Sequence, residues 1–149
     1  MATTKTNRNI NWSSVIFTPT SGSAVTIPHV QGVQVAYNPE FAKGSGDAAV
    51  FNTIAVAVFS DPTMTVRSQA VGILLSLHGL QGTLAATWND ARNAASSGAI
   101  TFTMSNASIL VNDLGGAHKA LGEASITTVG YSSNGTTSPL GYTIVADIA

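Results

Sequence analysis

Three histidines, His29, His78 and His118, are the residues best suited to move a proton or hold a metal. They fall in separate segments, without the spacing of a metal-ligand set. A nucleophilic triad needs a hydroxyl beside a base that a carboxylate orients. With serines throughout the chain, any histidine pairs with some hydroxyl on paper, so such a pairing carries no information. General-base assignments rest on geometry, and these histidines read as structural. The carboxylates Glu40, Asp47, Asp61, Asp90, Asp113, Glu123 and Asp147 stand singly in loops or at strand ends. None opens the Asp-x-Asp pattern of a calcium loop. Gly44-Ser45-Gly46-Asp47 lacks the lysine and the strand-to-helix setting of a phosphate loop and reads as a flexible turn, as does Gly115-Gly116. The chain has no cysteine, so it has neither disulfides nor thiolate metal sites. No constellation points to an enzyme, a cofactor or a metal.

The composition points elsewhere. The chain has 149 residues, the size of one domain with a substantial core. Only 9% are charged, against about 25% in an ordinary globular protein. Thr, Ser, Asn, Gln and Gly must cover the surface instead. A net charge of −1 gives little repulsion between copies. We therefore expect much of the surface to be covered in an assembly. The six Lys and Arg are scattered singly, so no basic stripe marks nucleic-acid binding. No apolar run approaches the roughly 20 residues that span a bilayer, and MATTKTNRNINW has no apolar secretory segment. The reading is of a protein made and kept in a cytosol, or released by lysis, and not bound to a membrane. Three sequons, at Asn11, Asn106 and Asn134, are then chance matches.

Periodicity supplies the framework. Residues 1–11 read as a polar, flexible arm. Strands are expected over Trp12–Thr18, Ala24–Ile27, Gln31–Tyr37, Thr63–Arg67, Thr83–Trp88, Ala99–Ser105, Glu123–Tyr131 and Leu140–Ala146, each with apolar alternation or turn residues at its ends. Residues 38–49 read as a long polar loop, with Phe41 out of place in it. Phe51–Phe59 (FNTIAVAVF) is apolar on both faces and is expected as a central strand buried on both sides. Ile109-Leu110-Val111 follows Ala99–Ser105 out of phase, which predicts a bulge at Asn106–Ala107. Asn89–Gly98 and Asn112–Leu121 read as connections, and Asn134-Gly135 as a turn.

Ser68–Gly79 (SQAVGILLSLHG) is the one good helix. Ser68 can cap it, Ala70, Ile73, Leu74 and Leu77 make an apolar stripe, and Gly79 suits the left-handed stop. It is too short to be stable alone and must pack on a sheet. The expected fold is one mainly β domain over 1–149: a β-sandwich or open barrel of about nine strands, flanked by one short helix at about 68–78.

Three stretches carry a resemblance: GTLAATWNDARN, AITFTMSNASILVND and GAHKALGEASITTVGYSSNGTTSPLGYTI. The strand opening Gly82-Thr83-Leu84 follows a short helix. Gly32-Val33 pairs with Tyr37-Asn38-Pro39. The ending runs Gly130, Tyr131, Ser132, Ser133, Asn134, Gly135, Thr136, Thr137, then Pro139 and Leu140. Together, over roughly residues 12 to 145, they resemble bacteriophage tail tube proteins. The resemblance implies a β-sandwich subunit with one flanking helix. Six subunits would join inner sheets into a ring, and rings would stack into a tube. DNA would pass through the lumen without specific binding, and other tail proteins would be partners. The location implied is the virion tail, after synthesis in the bacterial cytoplasm.

In this reading the arm 1–11 and a loop at about 38–50, with Glu40, Phe41, Lys43 and Asp47, would meet neighbouring subunits. Thr101, Thr103, Ser125 and Thr127 would face the lumen or a subunit seam. The alternatives are another phage structural part, such as a capsid decoration protein or tail terminator, or a small carbohydrate-binding β-sandwich. The last needs exposed aromatics on one face, and Trp12, Trp88, Tyr37, Tyr131 and Tyr142 mostly fall at apolar phases.

Overall fold

The computed structural model describes residues 10–46, 48, 50–52, 54–90 and 99–145. Most of the expected arm, residues 91–98 of the connection before Ala99, and Asp47 lie outside these. The described residues form ten strands and one short helix, and every strand pair is antiparallel. The strands are β1 (Ile10–Pro19), β2 (Val25–Thr26), β3 (Val30–Ala36), β4 (Pro39–Gly44), β5 (Ile54–Ser60), β6 (Thr63–Ser68), β7 (Gln81–Asp90), β8 (Ala99–Gly115), β9 (Glu123–Gly130) and β10 (Leu140–Val145), with α1 at Val71–Ser76 between β6 and β7. Eight strands make one sheet in the order β2-β1-β7-β8-β9-β6-β3, with β10 also on β8, and it is not closed into a barrel.

The 17-residue strand β8 organises that sheet. One edge pairs with β7. The other edge takes β10 along Ala99–Met104 and β9 along Ala107–Gly115. The change of partner falls at Asn106, whose φ of 54° is left-handed, a conformation Asn tolerates better than most residues. Before it Met104 is buried; after it Ala107 and Ile109 are. The extra residue shifts the inward phase by one, as the out-of-phase run predicts. The two halves of the sheet then face each other in a sandwich-like arrangement. Val15, Phe17, Leu84, Ala86 and Met104 from one half meet Met64, Val66, Ile109, Ala124 and Ile126 from the other in a single core. Each fully buried aliphatic or aromatic side chain stabilises the fold by about 1.5–3 kcal/mol.

α1 closes one side of this core through Leu74, with Leu77 just past its end, both buried. It is shorter than the sequence suggests, because Ser68 is held in β6, paired with Val30 and Ala124. The Ser68 hydroxyl still accepts from the Ala70 N–H (2.9 Å) while donating to the Pro28 carbonyl (2.6 Å). Gly79 stops the chain at φ 81° and donates its N–H to the Ile109 carbonyl. His78 accepts the Val111 N–H at Nδ1 (2.9 Å), a structural role that ties the helix end to β8.

Three expectations need correction. Residues 38–49 are not a loop throughout: 39–44 form β4. Residues 51–59 do not supply a central strand. β5 pairs only with β4, in a separate two-stranded sheet. Ile54 and Val56 are exposed, so the apolar face they make is not buried within this chain. Residues 112–115 belong to β8 rather than to a loop. In addition, β9 and β10 do not pair with each other; both lie along β8. The segment between them turns on Asn134, whose Oδ1 accepts from the Thr136 and Thr137 N–H groups (2.9 Å each), with Gly135 at φ 73°.

Candidate assembly surface

The β4–β5 hairpin leaves the main sheet where β3 ends and β6 begins, beside the Ala36–Thr63 pair. Its base is fixed by polar contacts. Asn38, left-handed at φ 47°, donates from Nδ2 to the Asp61 carbonyl (2.9 Å) and to the Thr63 hydroxyl (3.2 Å). Ser60 Oγ donates to the Tyr37 carbonyl (2.6 Å). These anchors are not visible in the sequence pattern, which places Asn38 at the start of a polar loop. The residue-type signal was present, since Asn both tolerates the left-handed region and caps neighbouring backbone.

Beyond the base, β4 and β5 pack substantially only on each other. The register places Lys43 opposite Ala55, Ala42 opposite Val56 and Gly44 opposite Ile54. Directly opposed residues share a face, so Ala42, Ile54 and Val56 line one side. Phe41 and Lys43, two positions apart, lie on the other. Phe41 is 50% exposed, Val56 54%, Ile54 62% and Phe51 83%. The described residues of the hairpin thus expose apolar side chains on both faces, Ile54 and Val56 on one and Phe41, beside Lys43, on the other. An isolated two-stranded hairpin is marginal in water, and exposed apolar patches rimmed by polar groups mark interaction sites. Of the expected interface residues, Glu40, Phe41 and Lys43 are brought together on β4 and exposed. Asp47 lies outside the described residues.

The expected lumen or seam residues divide between two surfaces. Thr101 and Thr103 lie on the outer face of the β1-β7-β8-β10 half. There the register lines up Ser14, Thr87, Thr101 and Thr143 across four strands, and Ile16, Ala85, Thr103 and Gly141 in the next row. The Thr87 and Thr101 hydroxyls are 3.0 Å apart. No charged residue occupies either row. Ser125 and Thr127 lie on the other half, where Gln34, Thr65, Thr127 and Leu110 make one row and Gly32, Arg67, Ser125 and Asp113 another. Ser125 is 8% exposed, between the longer Arg67 and Asp113. Arg67 Nε lies 3.5 Å from Glu123 Oε1.

Elsewhere, Trp12 packs edge-on to Trp88 (5.2 Å between ring centres) and tilted against Phe102 (6.2 Å). Next to them on β10, Tyr142 and Ile144 share the inward phase yet are exposed. Tyr131 lines a cleft of about 450 Å³ with Asp61, Pro62, Ser132, Thr136 and Pro139. The three histidines are far apart in role: the His29 carbonyl accepts from Gln69, His78 binds β8, and His118 lies exposed in the turn before β9. Among the described residues no three His, Asp or Glu side chains come together. In comparisons with known proteins, no family pattern matches the chain, and no curated protein matches it.

Proposed function

We propose that this chain is a structural subunit that assembles with copies of itself into stacked, hexameric rings, forming the tail tube through which a phage delivers its DNA. The observation that carries the reading is the β4–β5 hairpin, anchored at its base yet exposing apolar side chains on both faces. Such an element gains stability only when other surfaces cover it. The uncharged rows through Thr101 and Thr103, the first of them hydroxyl-bearing throughout, support the same reading. A DNA conduit must not grip phosphates, because each Lys or Arg contact adds salt-dependent affinity. The subunit's partners are then itself, other tail proteins and passing DNA, its location is the virion, and it carries no catalytic role.

Negative-stain micrographs of the purified protein test this. Tubes of constant diameter are expected. Single closed rings or trimers would instead point to a tail terminator or a capsid decoration protein. Removing residues 40–48 should leave a folded monomer that forms no tubes, and tubes from that deletion would overturn the assignment of the hairpin.

A further inference from the structure

Asn134 is the only asparagine of the chain followed by glycine. That dipeptide is chemically unstable. The amide nitrogen of the glycine, once it loses its proton, attacks the asparagine Cγ. The bond from Cγ to Nδ2 breaks, and ammonia leaves. Water then opens the cyclic imide at either carbonyl, giving aspartate or isoaspartate. Glycine favours the ring closure because it has no Cβ to obstruct it. The turn between β9 and β10 nevertheless requires both residues. Asn134 caps the backbone that follows it, and Gly135 takes a φ of 73°, which glycine adopts at no steric cost.

Each polar group in that reaction is held by a hydrogen bond. The Gly135 N–H, whose proton must leave, donates to Ser132 Oγ (3.0 Å). Asn134 Oδ1, on which charge would build, accepts from the Ser132 hydroxyl (2.9 Å) and from the Thr136 and Thr137 N–H groups (2.9 Å each). Nδ2, the leaving group, donates to Thr137 Oγ1 (3.0 Å). A neutral hydroxyl is too weak a base to take the Gly135 proton, and while it accepts that bond it keeps hydroxide from reaching it. Attack would also make Cγ tetrahedral, which pulls Oδ1 and Nδ2 off the lines of their partners. Asn134 and Gly135 are exposed, so these bonds, and not burial, stand between the site and water. We infer that Asn134 is a masked deamidation site. The loop 132–137 keeps it inert while closed, and conversion follows when the loop opens. Isoaspartate carries the backbone through Cβ and withdraws the acceptor that Thr136 and Thr137 share. The added carboxylate falls in a loop that shares a cleft with Ser60 and Asp61, the residues that hold the base of the hairpin.

Peptide mapping by mass spectrometry, after incubation at mildly alkaline pH, tests this. Asn134 in the folded protein should convert about tenfold or more slowly than in a synthetic peptide of residues 131–138, a ratio equivalent to about 1.4 kcal/mol of loop closure. Ser132→Ala should return about fivefold of that difference, roughly the worth of one such bond, and leave the rate in the matching peptide unchanged. Thr137→Val, which removes only the acceptor for Nδ2, should also speed conversion, and it decides the matter if the first variant melts early. Amide exchange needs no substitution: the Gly135 N–H should exchange more slowly than in the peptide. A folded protein that deamidates as fast as the peptide, or an unprotected Gly135 amide, would overturn the masking. So would a Ser132→Ala variant that melts with the parent and deamidates no faster, or more slowly; in the last case the hydroxyl promotes ring closure.

Discussion

Ser68 shows how much a single side chain does in this fold. Its buried hydroxyl joins the β2–β3 connection at Pro28 to the start of α1 at Ala70. Ser68→Ala leaves a buried donor and acceptor unmatched, and should lower stability by about 1–3 kcal/mol, measured by urea unfolding. Ser76→Ala removes only an exposed bond to the Ile73 carbonyl and serves as the control, within about 0.5 kcal/mol. Gly82 is a second such position. A Cβ there would run into the Thr18 carbonyl and the Pro19 Cα, backbone atoms that have no rotamer to retreat to. Gly82→Ala should therefore cost about 1–3 kcal/mol or more. Leu74→Asp places a carboxylate in the core and should abolish folding, seen as loss of chemical-shift dispersion.

At the scale of elements, β8 and the hairpin behave oppositely. β8 belongs to both halves of the main sheet, and its phase change at Asn106 keeps Met104 and Ile109 in one core. Deleting Asn106 would turn one half of the strand inside out. The expected result is a chain without a cooperative unfolding transition in a thermal scan. The hairpin contributes no strand to the main sheet. Removing it should leave the melting temperature within a few degrees of the parent monomer, equivalent to less than about 1 kcal/mol. The phase change was legible in the order of residues: Ile100, Phe102 and Met104 on one parity, Ile109 and Val111 on the other. The helix stripe was legible too, but its first turn was not. Ser68 reads as a cap, and only its pairing with Val30 and Ala124 shows that the strand holds it.

For the molecule as a whole, the sparse charge is the governing feature. The described basic residues, Lys43, Arg67 and Lys119, lie on the hairpin, on β6 and in the turn before β9, not in one stripe. The purified protein should show no measurable affinity for a short DNA duplex at physiological salt, by fluorescence anisotropy. Assembly that buries Phe41, Ile54 and Val56 should strengthen in sulfate, which favours burial of apolar surface; light scattering during a sulfate titration checks it.

The class of fold, the helix stripe, the reversal of phase in β8 and the sparse charge can all be read from the order of residues, because each is a local pattern of side chains. Where Ile54-Ala55-Val56 would sit depended on long-range packing. Apolar residues on both faces say that both faces need cover, and they are silent on whose atoms provide it. In this fold β5 takes no place in the main sheet and pairs only with β4. The same pattern that marks a central strand in one chain therefore becomes, in this one, a bare hairpin pinned by Asn38 and Ser60. The tertiary structure likewise separated Thr101 and Thr103 from Ser125 and Thr127. Alternation along a strand specifies inside and outside, but the bend at Asn106 gives this molecule two outsides.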